Sequence, residues 1–273
     1  VVVVGYGTMR KSDLTGSIST AKGKDMLKAQ SFNALDGLKG KVAGVNIFSN
    51  TGQPGGESRV IIRGISTINA SASPLYVVDG VVMSNFELLN PNDIESIEVL
   101  KDASSAAIYG ARGANGVIMV TTKRGNAGKG VHVSYDGSLS IGKMARKIDV
   151  MDANEWMSTF KQGLEHANEF QGKNFTTDLS QIFTDERLFN ADGSPKYNTN
   201  WQDEASRTAI SHNHQISIQR TGEGSSIGAF INYTDQQGIL LNSYFKRINA
   251  KLAYDDKPTD WLSTSVNLLV NHT

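Results

Sequence analysis

The sequence predicts an α+β unit followed by a run of long antiparallel strands. Two observations carry this. In the first half, short apolar segments of strand type alternate with short helical segments and glycine-rich turns. After Gly130 the pattern changes to a two-residue alternation of apolar and polar residues, held over whole segments. Glycine agrees: 27 of 273 residues, above the usual ~7%, suits turns and short strands better than a helical bundle.

Composition excludes several classes. Lys and Arg (27) balance Asp and Glu (27), so no global field points to nucleic acid. Without cysteine there are no disulfides, thiol nucleophiles or Cys-based zinc sites. No apolar run approaches the ~20 residues of a transmembrane helix, and the opening VVVV is far too short.

Taken in order, Val1–Gly7 is β-branched and then broken by glycine. Ser31–Lys39 reads as a short helix with Phe32, Leu35 and Leu38 on one face and Gly40 as its stop. Val42–Phe48 is strand-like and leads into a turn cluster, Ser49–Gly56. Arg59–Arg63 is a strand ended by Gly64. Leu75–Val78 is an apolar strand, and Asp79-Gly80 supplies a hairpin turn into Val81–Met83. Ile97, Val99 and Leu100 suit a buried strand. Asp102 caps a short helix, Ala103–Tyr109, stopped at Gly110, and Gly116–Thr122 returns as a strand. Gly110, Gly113 and Gly116 have a phosphate-cradle spacing. They precede a strand, however, and no Gly-Lys-Ser/Thr follows, so chain reversal at positive φ is the better reading.

In the second half, Val131, Val133, Tyr135, Leu139 and Ile141 share one face of a strand, opposite His132, Ser134, Asp136, Ser138 and Ser140. Ile248, Ala250, Leu252 and Tyr254 oppose Arg247, Asn249, Lys251 and Ala253. Leu262, Thr264, Val266, Leu268 and Val270 oppose Ser263, Ser265, Asn267, Leu269 and Asn271. His214–Arg220 and Ile227–Thr234 alternate more loosely. Such alternation fits a soluble sandwich and a membrane barrel equally. The connections are Gly142–Ser211, very long, then Thr221–Ser226, Gly238–Tyr244 and Asp255–Asp260. Their lengths match the parity of short inner turns and longer outer loops over five strands.

Several motifs occur in this order: VVVVGYG with Thr8 after it, GVNIFSNTGQPGG, RVIIRGIS, SPLYVVDGV, and Asn90–Gly125, NPNDIESIEVLKDASSAAIYGARGANGVIMVTTKRG. Together they resemble the plug of TonB-dependent outer-membrane transporters, in particular the SusC/RagA-like branch. The resemblance is tight over residues 1–125 and more diffuse over 126–273. It implies an α+β plug domain followed by antiparallel β-strands of an incomplete transmembrane β-barrel, the chain being an internal fragment. The implied division is a TonB-box-like segment over 1–9, a plug over 10–125, and the start of the barrel over 126–273 with a long external loop, 142–211.

The implied activity is TonB-dependent import of a nutrient, an oligosaccharide before a peptide, by a protein that is not an enzyme and carries no cofactor. Val1, Val2, Val3, Val4, Gly5, Tyr6 and Gly7 would pair with TonB, energised through ExbB and ExbD, by strand addition. A SusD-like surface lipoprotein would cover the outer face, and outer-membrane lipid would surround the wall. Arg63 and Arg112 would touch the barrel wall, although ordinary surface arginines read the same. Two rivals stand beside this: a signalling receptor of the same architecture, and a soluble secreted carbohydrate-binding β protein. A hydrolase would need paired carboxylates flanking a groove, and no convincing pair is visible.

The long loop carries further candidates. Asp152–Glu155 is a capping-box-like start, with Trp156, Phe160 and Leu164 at helical spacing after it. Trp156, Tyr197 and Trp201 are candidates for stacking on a sugar ring. Asp203 and Glu204 form an acidic doublet with no partner for acid–base work. His212 and His214 share one strand face, but no third ligand stands at metal-site spacing, so no metal is expected and lumen-facing polar residues are the better reading.

Overall fold

The computed structural model describes residues 2–4, 7–9, 18–28, 31–49, 51–64, 72–84, 89–102, 106–125 and 128–273. Val2–Val4 forms β1, which folds back antiparallel on β2, Gly7–Met9, with Val2 opposite Met9. Val1, Gly5 and Tyr6 of the same segment lie outside the described residues.

The α+β unit is built on two sheets. Its strands are β3 (Ile18–Lys22), β4 (Val45–Ser49), β5 (Ser58–Ile62), β6 (Leu75–Val78), β7 (Val81–Met83), β8 (Ile94–Leu100) and β9 (Val117–Thr122). The central sheet runs β3-β8-β9-β6-β7, and β4 pairs with β5 in a separate ribbon. All central pairs are antiparallel except β6 with β9. Both faces of the central sheet are covered. Tyr76, Val78, Ile97, Val99, Ile118 and Val120 join a core with Met26, Leu35 and Leu38. Val77, Leu100, Val117 and Met119 point the other way, into a smaller cluster with Ala106. Each fully buried Ile or Leu contributes roughly 1.5–3 kcal/mol. The Asp79-Gly80 turn holds φ of 48° and 89°, the left-handed pair of a type I′ hairpin.

Two predicted helices change. The segment 31–39 is helical only as a 3-10 turn, Asp36–Leu38. Upstream, side chains compete for the backbone: Asn33 N–H donates to Ser31 Oγ (3.1 Å) and Leu35 N–H to Asn33 Oδ1 (2.9 Å). Local bonds of this kind hold turns in place of a helix. Leu35 and Leu38 are nevertheless buried in the core. For the helix expected at Ala103–Tyr109, residues 103–105 lie outside the described residues. The described part, Ala107–Gly113, is two short 3-10 turns parted at Gly110, whose φ 60°, ψ −148° is not helical. Gly110 thus ends the first helical turn, as expected, and a second turn follows it up to Gly113. Gly116 also takes positive φ (92°), whereas a side chain on Gly113 would strike Ala106 O at 2.9 Å.

The second half forms one five-stranded antiparallel sheet in chain order, β10-β11-β12-β13-β14. The strands are β10 (Gly130–Gly142), β11 (Ala209–Thr221), β12 (Ser225–Gln237), β13 (Tyr244–Thr259) and β14 (Leu262–His272). The turn expected at Asp255–Asp260 is tighter than its polar composition suggests. Strand β13 runs on to Thr259, which pairs with Leu262, leaving Asp260 and Trp261 at the tip. A register shift between Asp256 and Thr259 accommodates the extra length.

By contacts the chain forms two units, Val1–Ile141 with Ile210–Gly238 and Asn242–Thr273, and Gly142–Ala209 with Ile239–Leu241. Besides the short helix α1 (Gly23–Leu27) of the first unit, three helices lie in the second: α2 (Ala153–Gln171), α3 (Leu179–Ile182) and α4 (Trp201–Glu204). The capping box is present, with Glu155 N–H donating to Asp152 (2.8 Å) and Asp152 N–H to Glu155 (3.0 Å). The Glu155 N–H, donating to the Asp152 carboxylate, holds that carboxyl below the usual carboxylate range. Trp156 stacks on Phe160 at 5.3 Å, and Phe183 meets both edge-on. This small aromatic cluster anchors α2 within its own unit.

Candidate functional site: a two-faced wall and its seam

The paired registers sort β11–β14 into cross-strand rows. On one face the rows are His212–Asp235–Lys246, then His214–Tyr233–Ile248–His272, then Ile216–Ile231–Ala250–Val270. Below come Ile218–Ala229–Leu252–Leu268, Arg220–Ile227–Tyr254–Val266, and last Ser225–Asp256–Thr264. The middle rows are apolar and exposed: Ile231 is 58% accessible and Leu268 55%. The opposite face is polar and buried, with Gln215 at 1%, Asn232 at 1%, Asn249 at 1% and Lys251 at 3%.

This inversion separates the two readings that alternation left open. A soluble sandwich buries its isoleucines and wets its glutamines. Here the glutamine and lysine are inside and the isoleucines outside, as in a wall facing lipid. The two polar boundary rows are ten residues apart along β13, Lys246 to Asp256. At ~3.3 Å per residue and a tilt of about 40°, that is roughly 25 Å along the membrane normal, the height of the apolar band of an outer-membrane barrel.

The buried polar face carries a hydrogen-bonded seam to the α+β unit. Asn90 Nδ2 donates to Gln215 Oε1 (2.5 Å), and Gln215 Nε2 donates to Asp93 Oδ1 (2.7 Å). Lys251 Nζ donates to Thr122 Oγ1 and to the Lys123 carbonyl, and lies 5.1 Å from the Phe230 ring centre. Thr122 in turn donates its N–H (2.9 Å) and hydroxyl (2.6 Å) to Asp79, which also accepts from Asn267 Nδ2. Arg124 pairs with Asp255 and Ser265, and Thr221 Oγ1 donates to the Gly125 carbonyl (2.7 Å). At the other end of the strands, Gly55 N–H donates to Gln236 Oε1 (3.2 Å). Gly125 has no room for a side chain, since a Cβ there would lie 2.5 Å from Ile227 N.

Asp93 sits in this seam with its pKa raised. Burial is the largest cause, opposed by Lys251, by the Gln215 bond, and by Lys123 and Arg247. A carboxyl with a raised folded pKa gives a stabilisation that is complete below its unfolded value, ~3.9, and lost as pH rises through the folded value. Asp93→Asn keeps an acceptor for Gln215 and removes the ionisable group. We expect it to flatten the loss of plug stability between acidic and neutral pH, measured as amide exchange at Asp93 and Lys123 across that range. An unchanged pH slope would contradict the assignment.

The residues singled out in the sequence are not all brought together. Arg63, at φ 58°, ion-pairs with Asp102 of its own unit. Arg112 is exposed in the Ala107–Gly113 segment. Trp156 (50% accessible), Tyr197 (64%) and Trp201 (76%) lie in the second unit. There Asn198 bonds Ala153 N–H (3.1 Å) and Asp152, while Gln202 bonds both N–H and carbonyl of Ile148 (2.9 and 2.7 Å). The segment holding Tyr197 and Trp201 is thereby tied to the entrance of α2. Asp203, half of the acidic doublet, ion-pairs with Lys147.

His212 and His214 are corrected. They share the face of Ile216 and Ile218, the outer one, and do not line the lumen. A strand's parity is fixed by its most buried residues, and in β11 those are Ala209, Ser211, Gln215 and Ser217. The rings lie 5.1 Å apart, and His214 Nδ1 is 2.6 Å from the Tyr135 hydroxyl. Among the described residues, no group of three His, Cys, Asp or Glu could hold a metal. The seam residues Asp79, Asp93 and Gln215 were missed. Lys251 and Arg247 carried a signal, because two cations on the non-lipid face of one strand require partners inside.

Comparison with known proteins agrees with this geometry. The family model described as TonB-dependent Receptor Plug Domain matches residues 10–117. The TonB-dependent receptor SusC of Bacteroides thetaiotaomicron is 39% identical over 261 residues, 92% of this chain and 24% of that protein. TonB-dependent receptor P3 of Formosa agariphila is also 39% identical, over 90% of this chain and 22% of its own length. Among solved structures, the RagAB peptide importer in its open-open state matches 99% of this chain and 32% of its own, at 30% identity and a TM-score of 0.84. The chain thus spans about a quarter of the length of these curated relatives. It belongs to the SusC/RagA-like TonB-dependent receptors of the bacterial outer membrane, a transporter family and not an enzyme family, and carries their plug domain with the initial strands of the wall.

Proposed function

We propose that the protein actively imports a nutrient across the outer membrane, with its plug gated by TonB pulling on the N-terminal segment. The observation that carries this is the wall: lipid-compatible on one face, and bound on the other to the plug mainly through hydrogen bonds and the Arg124–Asp255 ion pair, with Leu269 packed on the plug core. Such bonds can be exchanged for water when the plug moves. In this reading residues 1–9 contact TonB, 10–125 are the plug, 126–273 begin the barrel, and 142–211 form an external loop. Arg63 and Arg112 serve as contacts to parts of the barrel wall.

The mechanism follows from the chain's own order. Substrate binds from outside, under a SusD-like lipoprotein. TonB, energised through ExbB and ExbD, pairs with the strand Val1–Gly7. Because Val2–Val4 already pairs with Gly7–Met9, TonB either adds to an edge of that ribbon or displaces β2. An isolated two-stranded ribbon is marginal in water, so displacement is cheap. No bond in the substrate is broken.

Oligosaccharide is the substrate we favour, with the exposed Trp156, Tyr197 and Trp201 available for stacking. A peptide substrate is the second reading, favoured by the likeness to the RagAB peptide importer. Deleting Val1–Gly7 from the full-length protein is expected to abolish uptake and leave binding at the outer face intact, measured with labelled substrate on whole cells. Normal uptake in that deletion would overturn the proposal.

A further inference from the structure

The outer face of the wall is not apolar to its edge. At the end that carries the long connection between β10 and β11, the row His212–Asp235–Lys246 sits above the row His214–Tyr233. Tyr135 of β10 joins them through its hydroxyl, 2.6 Å from His214 Nδ1, with the two rings stacked at 6.0 Å. His212 also contacts the Tyr233 ring at 5.8 Å. Lys246 Nζ and the Tyr233 hydroxyl each lie 3.4 Å from Asp235 Oδ2.

Two polar atoms of this cluster are shielded from water and have no hydrogen-bond partner among the described residues: His212 Nδ1 and Asp235 Oδ1. They belong to residues directly opposite each other in the β11–β12 register. A shielded unpaired polar atom normally has a reason, such as an absent ligand. At the opposite boundary, the row Ser225–Asp256–Thr264 and its neighbours Arg220 and Tyr254 hold no shielded, unpartnered polar atom among the described residues.

We infer that Tyr135, His212, His214, Asp235 and Lys246 form an outward-facing site for the headgroup of a phosphorylated glycolipid. The position sets the class of ligand, because the site lies at the boundary of the apolar band, where headgroups and not acyl chains are found. The chemistry sets the rest. Lys246, more than half exposed, and the Tyr135–His214 pair supply cation and donors for a phosphate. Asp235 Oδ1 and His212 Nδ1 in its unprotonated form are acceptors, which a phosphate does not satisfy and a sugar hydroxyl does. A headgroup carrying both is a phosphorylated sugar. The inference rests on the wall facing lipid, and not on TonB gating or on the imported substrate.

The test uses the full-length protein in phosphatidylcholine nanodiscs containing a few per cent of lipid A, with retention read by native mass spectrometry. His212→Phe/His214→Phe/Lys246→Leu is expected to retain at least tenfold less lipid A than the natural protein. Lys246→Gln alone should retain several-fold less, and it serves if the triple variant fails to fold. Asp256→Asn in the opposite boundary row should change nothing. Dephosphorylated lipid A and phosphatidylglycerol should both be held weakly by the natural protein. Equal retention in natural and variant proteins overturns the site, and tight retention of phosphatidylglycerol overturns its assignment to a glycolipid. Failure of the natural protein to enter the disc at all would instead count against the lipid-facing wall.

Discussion

Leu252→Arg is expected to remove the full-length protein from the outer membrane, whereas Thr264→Arg on the same face is tolerated. Leu252 lies in the row Ile218–Ala229–Leu252–Leu268, whose four members are all apolar. A charged side chain at the middle of the lipid face costs about 2–4 kcal/mol, and near the interface about 0–1 kcal/mol. Thr264 pairs with Asp256 in the boundary row, so its arginine reaches headgroups and water. The contrast also distinguishes a membrane wall from a soluble sheet. On a soluble protein Leu252, 40% accessible, would be a surface leucine, and arginine there would be neutral or helpful. Membrane fractionation and heat-modifiable migration of the two variants decide the matter. Equal insertion of both would remove the lipid-facing assignment.

The sequence shows the five strands because alternation is written directly into them, and a one-residue slip would invert every row. Val131–Ile141 and Leu262–Asn271 sit within one residue of β10 and β14. Alternation alone does not say which face is out, and β11 shows why. His212 and His214 look like pore residues until they are placed in the set 212, 214, 216, 218, where Ile216 and Ile218 mark the lipid side. Helix content was harder to read. The apolar spacing of Phe32, Leu35 and Leu38 is helical, yet Ser31 and Asn33 divert the backbone into turns, and side-chain competition outweighs periodicity over so short a segment. The longer helix at Ala153–Gln171 announced itself through its capping box, because 19 residues with a reciprocal cap leave little room for an alternative. The seam was illegible for a different reason. Asp93 and Gln215 are 122 residues apart in sequence, and only the two sheets together bring them to 2.7 Å.

Within the seam, Asp79 makes the bonds whose loss should cost most. It is the first residue of the Asp-Gly turn, held at φ 48°, and its carboxylate accepts from Thr122 N–H, Thr122 Oγ1 and Asn267 Nδ2. Those bonds tie the β6–β7 hairpin, the end of β9 and the wall strand β14 to one group. Asp79→Ala strips the partner from the N–H and hydroxyl of Thr122, a residue that is 1% accessible. Each stranded buried donor costs about 1–3 kcal/mol, and a left-handed alanine adds roughly 1–2 kcal/mol. The expected total is about 3–8 kcal/mol, concentrated where the plug meets the wall. Asp79→Asn keeps the turn and one carbonyl acceptor, so it should lose about half as much. Hydrogen exchange of the full-length protein would read this at the Thr122 and Lys123 amides, with leakage of a large solute through the pore as the functional counterpart. Lys251 still reaches Thr122 and the Lys123 carbonyl in both variants, so the plug should loosen at Asp79 without leaving the wall. Full protection of the Thr122 amide in Asp79→Ala would show that the seam is held elsewhere.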